Sequence, residues 1–155
     1  MERVLDFGSG MGRMTVSLHR LFREVYTFDT EVMTLAFAQH ILEVLRTDKS
    51  KPIPILQASF DEVKSRRYDL IFDRTCWQHI TPSELQPLLI SLCYTAPYAF
   101  SFTRWYNDFT KDKLIDIVES SGAWKVIGCS EPEVINNEAH FAVLYQSLSK
   151  IVFSP

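Results

Sequence analysis

Three glycines near the amino terminus form the part of the sequence best suited to binding a ligand. The chain has 155 residues and only five glycines, yet Gly8, Gly10 and Gly12 alternate within five consecutive positions. A glycine-rich turn lets the backbone approach a ligand closely and directs the N–H groups of the following helix toward it. We therefore predict a ligand-binding turn here rather than a tight connection without a ligand.

The residues around these glycines separate one type of nucleotide site from another. A dinucleotide-binding fingerprint requires GxGxxG, but Arg13 occupies the position of the third glycine. A P-loop requires a Gly-Lys-Ser/Thr ending, which the chain lacks. The chain has instead an acidic residue, Asp6, followed by a GxGxG pattern.

The elements that position this turn alternate between strands and helices. Runs of apolar residues predict strands, and apolar residues at helical spacing predict the helices between them. The predicted strands span 3–7, 25–28, 53–58, 68–72, 98–103, 124–130 and 141–147, and a long helix is predicted over 31–46. This alternation implies an α/β fold with a mostly parallel sheet and helices on both faces. The last two strands lack an intervening helix, so we expect them to be antiparallel.

Local signals refine this order of elements. Pro54 cannot donate a sheet hydrogen bond, so it places its strand at a sheet edge or lies at the beginning of that strand. Thr81, followed three residues later by Glu84, predicts a capping box at the start of a helix. Thr110 is predicted to cap the next helix, and Gly122 lies just past its end.

Several segments are similar to one known family of enzymes. The segment 4–12 (VLDFGSGMG) resembles the first motif of the class I S-adenosylmethionine-dependent methyltransferases, where an acidic residue precedes GxGxG. The segment 25–29 (VYTFD) looks like that family's second strand, which ends in the acidic residue that holds the ribose hydroxyls. The segments 55–60, 68–72 and 77–80 are similar to the stretch near the adenine and to the fourth strand with its loop. The resemblance covers nearly the whole chain.

This resemblance implies a fold, a cofactor and a set of cofactor contacts. The fold is a Rossmann-like methyltransferase sandwich, whose seven-stranded, mostly parallel sheet has an antiparallel last strand and helices on both faces. The cofactor is S-adenosyl-L-methionine. The implied contacts are Asp6, Gly8, Ser9, Gly10, Gly12, Asp29, Thr30, Ser59, Phe60 and Asp73.

The chemistry of the cofactor explains the residue types in this set. Asp6 is expected to accept from the α-ammonium, and Asp29 from both ribose hydroxyls, because one carboxylate can accept two hydrogen bonds at once. Asp29 also suits the cap of the helix that follows it. Gly8 and Gly10 are expected to admit the methionine portion against bare backbone, and Thr30 and Phe60 to flank the adenine.

The sequence departs from the family's pattern in three places. Ser59 stands where the family commonly has an acidic residue for the adenine amino group, with Asp61 two positions on. The segment 96–100 replaces a PGG-like turn before the fifth strand. The first strand begins almost at Met1, so the cap helices that usually precede it and shape the substrate pocket are expected to be absent.

Three loops are expected to face the methyl donor if the sheet is ordered as in the family. They span 73–80, 104–109 and 131–140. Their candidate substrate contacts are Asp73, Arg74, His79, Arg104, Trp105, Tyr106 and His140. Trp105 and Tyr106 are candidates for an aromatic wall of the substrate site, although aromatic residues next to a strand more often belong to the core.

Two of these residues are candidates for catalysis. A sulfonium is an activated electrophile, so the enzyme mainly aligns donor and acceptor, and a base is needed only for a hydroxyl or a protonated amine. His79 is the first candidate for that base because histidine titrates near neutral pH, although in the family a histidine here is often structural. Asp73 is the second candidate, or it orients an ammonium group.

Composition limits the partners that we expect. Sixteen basic and nineteen acidic side chains give a net charge of −3, which offers no electrostatic footprint for nucleic acid or an anionic membrane. No segment approaches the roughly 20 apolar residues of a membrane span. Cys76, Cys93 and Cys129 are odd in number and widely spaced, which indicates neither a disulfide framework nor a metal site. We therefore expect a single cytoplasmic domain over 1–155.

Together these observations predict an S-adenosylmethionine-dependent methyltransferase that acts on an O, N or C atom of a small molecule. The alternative is a non-catalytic cofactor-binding or regulatory subunit whose pocket is completed by a partner or by a second copy in a homodimer. The expected absence of cap helices motivates this alternative. A dinucleotide-dependent oxidoreductase is a third hypothesis, which Arg13 disfavours.

Overall fold

Strands and helices alternate along the computed structural model, which describes residues 1–45, 49–104 and 109–149. Within these residues there are eight strands and five α-helices. The strands are β1 (Arg3–Phe7), β2 (Glu24–Phe28), β3 (Ile55–Gln57), β4 (Leu70–Arg74), β5 (Tyr98–Arg104), β6 (Trp124–Cys129), β7 (Glu133–Ile135) and β8 (Glu138–Ser147). The helices are α1 (Arg13–Leu21), α2 (Val32–Leu45), α3 (Phe60–Lys64), α4 (Pro82–Leu92) and α5 (Lys111–Ser120), with a 3₁₀ turn at Trp77–His79.

The strands form one sheet in the order β3-β2-β1-β4-β5-β8-β6, with β7 paired to β8. Strands β1 to β5 are mutually parallel, and β8 is antiparallel to both β5 and β6. The predicted parallel sheet with an antiparallel last strand is thus confirmed. Chain order reverses between β1 and β4, where Phe7 pairs with Asp73. The carboxyl ends of these two strands form the switch point at which open α/β sheets bind ligands.

Helices cover both faces of the sheet because successive residues of each strand point to opposite sides. Val4 packs on one face with Leu18 of α1 and with Phe22, which directly follows that helix. Leu5 belongs to the larger cluster on the other face, which includes Leu89 of α4 and side chains of α5. These two buried clusters hold the carboxyl ends of the central strands in place.

Several local predictions hold. Pro54 directly precedes β3, which is short and lies at the edge of the sheet. Helix α4 begins with the predicted capping box, in which Glu84 Oε2 accepts from the backbone N–H of Thr81 at 3.3 Å. Thr110 caps α5, since its hydroxyl accepts from Lys113 N at 3.2 Å.

Other details differ from the prediction. The spacing of apolar residues in the long helix predicts a wide buried face, but Phe37 and Val44 are exposed, so the buried face of α2 is narrower. The predicted loop 131–140 holds strand β7 and the start of β8, so the sheet has eight strands rather than seven. Asn136 and Asn137 form the two-residue turn between them with φ values of 52° and 64°. Asparagine tolerates this left-handed region, which hairpin turns of this kind require.

A short helix after β3 was also not predicted. Ser59 caps α3 in a capping box with Glu62, whose carboxylate reaches back to the backbone N–H of Ser59 at 3.3 Å. None of the described helices is long and apolar enough to cross a lipid bilayer.

Candidate functional site

Two cavities adjoin the glycine turn at the carboxyl ends of β1 and β4. The first, here called the apolar slot, has a volume of about 320 Å³ and is lined by Phe7, Gly8, Phe28, Asp29, Thr30, Phe60, Cys76, Ile80 and Leu88. The second, here called the polar cavity, has a volume of about 700 Å³. It is lined by Asp6, Gly8, Ser9, Gly10, Met11, Arg13, Met14, Arg74, Thr75, Phe102, Arg104, Ile135, Asn136, Glu138 and His140. Gly8 lines both cavities, which places them side by side at the glycine turn.

The glycine turn has a backbone that side chains would disturb. Gly8 and Gly10 have φ values of 69° and 53°, in the left-handed region that favours glycine. The N–H groups of Gly8 and Ser9 both donate to Phe28 O, at 2.8 and 3.0 Å, which fixes the turn to the end of β2. A Cβ on Gly8 would collide with the side chain of Cys76, whereas one on Gly10 would meet nothing within 4 Å. The open backbone that we expected at both positions is therefore found at Gly10, while Cys76 fills the space at Gly8.

Gly12 and Ser9 contribute to the turn in different ways. A Cβ on Gly12 would lie 3.2 Å from the Cβ of Ala38, so this glycine permits α1 and α2 to pack closely. Gly12 does not line either cavity. Ser9 lines the polar cavity, and its buried hydroxyl has no hydrogen-bond partner among the described residues. A buried hydroxyl beside a cavity is suited to a polar ligand, because an unpaired polar group is costly to bury.

Asp29 joins the end of β2 to the glycine turn. Its Oδ2 accepts from Gly10 N at 2.8 Å and its Oδ1 from Glu31 N at 3.0 Å, in the turn before α2. The carboxylate is half-buried and lines the apolar slot. Each carboxylate oxygen has a second lone pair, so Asp29 can still accept hydrogen bonds from two adjacent hydroxyls.

Asp6 places a buried carboxyl group in the polar cavity. Only 2% of the residue is exposed, and its Oδ2 accepts from Thr15 Oγ1 at 2.5 Å. Burial raises the pKa of Asp6 to about 6, although the Thr15 hydrogen bond and the charge of Arg74 oppose this shift. The group is therefore mostly ionised at pH 7 and can bind an ammonium group there.

Asp73 has no exposed surface. Its Oδ1 accepts from the N–H groups of Cys76 and Trp77 at 3.0 and 3.1 Å, and its Oδ2 from Ser101 Oγ at 2.5 Å. Burial raises its pKa to about 7, against the effect of these hydrogen bonds. A direct contact with cofactor or substrate does not fit a carboxyl group in this position. Asp73 instead anchors the loop that brings Cys76 into the apolar slot.

His79 is exposed at the end of the 3₁₀ turn, and it is not among the described residues that line either cavity. Its neighbour Gln78 is buried and accepts from Thr103 Oγ1 at 2.6 Å. The structure does not bring the predicted base to the cavities.

Of the three residues predicted to lie near the adenine, two line the apolar slot and one does not. Phe60 and Thr30 both line the apolar slot, and the Phe60 ring meets Phe7 edge-on with centroids 6.5 Å apart. Ser59 is exposed and lies outside this lining, and its hydroxyl accepts from Glu62 N at 3.2 Å. Its role in the structure is to cap α3.

Arg104 and His140 belong to the side of the polar cavity that lies opposite the glycine turn, here called the far wall. The far wall consists of Phe102, Arg104, Ile135, Asn136, Glu138 and His140. Arg104 Nη1 donates to both carboxylate oxygens of Glu138, at 2.8 and 3.0 Å. The His140 ring stacks on Phe102 with centroids 5.5 Å apart. The predicted aromatic contacts Trp105 and Tyr106 lie outside the described residues.

Several residues of the two cavities were not predicted from the sequence. Cys76, Ile80 and Leu88 complete the apolar slot, and burial raises the pKa of the Cys76 thiol far above its usual range. Thr75 and Glu138 line the polar cavity, and Thr75 has a φ of 61°, which is strained for a β-branched residue. No local motif marks these positions, although the paired asparagines before Glu138 signal the hairpin that presents it.

Comparisons with solved structures match this architecture. An S-adenosylmethionine-dependent methyltransferase from Methanosarcina mazei has a TM-score of 0.78 at 11% identity, over 95% of this chain and 92% of that one. Magnesium protoporphyrin IX methyltransferase from Synechocystis PCC 6803, solved with bound S-adenosylmethionine, has a TM-score of 0.72 at 13% identity, over 92% of this chain and 68% of that one. An rRNA methylase from Streptococcus thermophilus has a TM-score of 0.68 at 16% identity, over 96% of this chain and 87% of that one.

The sequence itself shows no comparable match, since no protein-family profile and no curated protein matches it significantly. At 11–16% identity the structural likeness concerns the fold. The sheet order, the reversal between β1 and β4 and the antiparallel β8 agree with that likeness. The chain has the Rossmann-like fold of the S-adenosylmethionine-dependent methyltransferases.

Proposed function

We propose that the protein binds S-adenosylmethionine and transfers its methyl group to a small molecule. The observation that carries this proposal is the pair of cavities that meet at Gly8, one apolar and one polar, with Asp29 beside the first and Asp6 in the second. This arrangement matches a ligand with an adenine at one end, a ribose diol in the middle and an amino acid at the other end.

The apolar slot suits the adenosine portion. Phe28 and Phe60 supply aromatic surface on which a flat base packs, and Ile80 and Leu88 supply apolar surface. Asp29, at the edge of the slot, retains acceptor capacity for the two ribose hydroxyls while its existing bonds to backbone N–H groups hold it in place. A carboxylate already fixed in this way loses little conformational entropy when a ligand binds.

The polar cavity suits the methionine portion. Asp6 offers an ionised carboxylate to the α-ammonium, and the open backbone at Gly10 lets the ligand approach closely. The unpaired hydroxyl of Ser9 is available to the same part of the ligand. The orphaned hydroxyl and the open glycine are the features of this chain that fit the cofactor.

The cofactor supplies a methyl group on a sulfonium, which is electrophilic without further activation. The chain's contribution is to hold that end of the ligand beside the far wall and to keep an acceptor in line with it. At about 700 Å³ the polar cavity has the size of a small-molecule site. The described residues of the cavity offer His140 rather than His79 as a side chain that can accept a proton.

The alternative function, a cofactor-binding subunit without its own activity, predicts binding without turnover. Methyl transfer from labelled S-adenosylmethionine to a panel of metabolites, measured with and without a cell extract, separates the two. Transfer by the protein alone supports the enzyme, whereas transfer that requires a protein fraction of the extract supports the subunit.

Asp29→Ala tests the cofactor site within this proposal. We expect affinity for S-adenosylhomocysteine to fall by about 1–3 kcal/mol, because the ribose loses a charged acceptor and the turn loses its bond at Gly10. Asp112→Ala, at an exposed acidic residue in the first turn of α5, is the matched control. Equal affinities of the two variants in calorimetric titration would remove Asp29 from the site.

A further inference from the structure

The polar cavity contains more positive than negative side chains. Its lining includes three guanidinium groups, from Arg13, Arg74 and Arg104, and two carboxyl groups, from Asp6 and Glu138. Arg104 and Glu138 neutralise each other through their ion pair at 2.8 Å. Among the described residues no carboxylate forms an ion pair with Arg13 or Arg74. With Asp6 ionised, the described residues of the lining therefore carry a net charge of about +1.

The proposed cofactor makes this imbalance larger. S-adenosylmethionine carries a sulfonium, an ammonium and a carboxylate, so its own net charge is +1. Once it is bound, cavity and cofactor together carry about +2. A cationic acceptor is repelled by such a site, and an uncharged acceptor leaves it uncompensated.

Two of the arginines lie at the carboxyl ends of the neighbouring strands β4 and β5, Arg74 beside the glycine turn and Arg104 in the far wall. Arg74 of β4 pairs in register with Phe102 of β5, and Arg104 follows two residues later. Because side chains of a strand alternate in direction, Arg74, Phe102 and Arg104 face the same side of the sheet. His140 of β8 pairs with Arg104 and stacks on Phe102. The result is an aromatic floor flanked by two guanidinium groups.

We propose that the methyl acceptor is an anionic small molecule, with an apolar body that packs on Phe102 and a carboxylate or phosphate group held by Arg74 and Arg104. This inference rests on the proposed function and names its substrate class. The planar guanidinium group binds carboxylate and phosphate through two parallel hydrogen bonds, which suits it to this task. Arg13, at the start of α1 beside the glycine turn, lies toward the cofactor end of the cavity.

The test measures binding of four probes to protein saturated with S-adenosylhomocysteine. Benzoate, phenyl phosphate, benzamide and benzylamine share one aromatic ring and differ in charge, and ligand-observed NMR gives their dissociation constants. We expect the two anions to bind at least about tenfold more tightly than benzamide, because a single charge-assisted hydrogen bond contributes about that factor to affinity. Benzylamine should bind most weakly of the four. Equal binding of anions and benzamide, absence of anion binding, or a preference for benzylamine would overturn the inference.

Two substitutions with opposite expected effects distinguish a specific change in anion binding from a general loss of folding. Arg104→Gln should reduce the affinity for benzoate, because it removes a guanidinium group and leaves the Glu138 carboxylate without its arginine partner beside the anion. Glu138→Gln should increase it, because the substitution removes a carboxylate that competes with the anion for the guanidinium group of Arg104. Arg74→Gln should reduce it, and Arg20→Gln, at an exposed arginine of α1 outside the cavity lining, should leave it unchanged.

The result for S-adenosylhomocysteine separates this inference from the proposed function. A wild-type protein that fails to bind S-adenosylhomocysteine overturns the proposed function and this inference with it. A protein that binds S-adenosylhomocysteine but has no preference for anions, or whose Arg104→Gln and Glu138→Gln variants behave like Arg20→Gln, overturns this inference alone.

Discussion

The glycine turn and the far wall enclose the same cavity but are built in different ways. The turn is made of backbone: Gly8 N and Ser9 N bond to Phe28 O, and Asp29 accepts from Gly10 N. The far wall is made of side chains that meet across strands, as in the pair of Arg104 with Glu138.

This difference matters for what each region is able to change. A backbone cradle constrains the few residues that form it and leaves little freedom for substitution, which suits a cofactor of fixed shape. Side chains on paired strands can be replaced without altering the sheet, which suits the choice of an acceptor. We infer that the turn determines which cofactor is bound and that the far wall determines which molecule is methylated.

The largest effect that we expect is a loss of folding stability on substitution of a glycine in the glycine turn. Gly8→Ala should reduce the free energy of unfolding by about 3 kcal/mol, because its Cβ collides with Cys76 and its φ of 69° is strained for alanine. Gly10→Ala should cost only about 1–2 kcal/mol, since its φ is also positive but nothing lies within 4 Å of the new Cβ. Urea unfolding of both variants measures the difference. Equal losses would mean that packing against Cys76 does not constrain the turn.

The glycine turn was predictable because its chemistry lies in consecutive residues. Asp6 and the three glycines occupy seven positions of the sequence, and Asp29 ends the next strand. The contact of Gly8 with Cys76 was not predictable, because it depends on how the loop after β4 folds back beneath Asp73.

The far wall was predicted only in part. Arg104 and His140 were named from their places after strands, but their pairing across β5 and β8 follows from the register of the sheet, which no short motif encodes. Glu138 was missed because it begins the second strand of a hairpin that was not predicted. The first strand of that hairpin, β7, is three residues long and lacks the alternation of a longer strand. His79 and Asp73 were named from residue type and from their loop after the fourth strand, but the exposure of His79 and the burial of Asp73 depend on how that loop folds.

The pH dependence of cofactor binding tests whether the ionised Asp6 carboxylate beside the glycine turn binds the ammonium group of the cofactor. The pKa of Asp6 in the free protein is raised to about 6, so its carboxylate takes up a proton as the pH falls through that value. An ammonium ligand then loses its partner, and affinity for S-adenosylhomocysteine should fall by up to about tenfold per pH unit below pH 6. Calorimetric titration between pH 5 and 8 measures this slope. Asp6→Asn should bind more weakly at pH 8 and lose the slope, and an unchanged slope in this variant would assign the proton to another group.

The smallest expected effect is at His79. Because its side chain is exposed and outside both cavity linings, His79→Ala should change affinity for S-adenosylhomocysteine and the rate of methyl transfer by less than about twofold, as surface substitutions commonly do. A loss of methyl transfer with intact binding would restore His79 as the base and move the catalytic group away from the far wall.

The most direct test of the central claim is a calorimetric titration of the wild-type protein with S-adenosylhomocysteine and, separately, with NAD. The two neighbouring cavities, with Asp29 beside the apolar slot and Arg13 in place of a third glycine, predict saturable binding of S-adenosylhomocysteine at one site per chain and no binding of NAD. Binding of NAD without binding of S-adenosylhomocysteine would contradict the account.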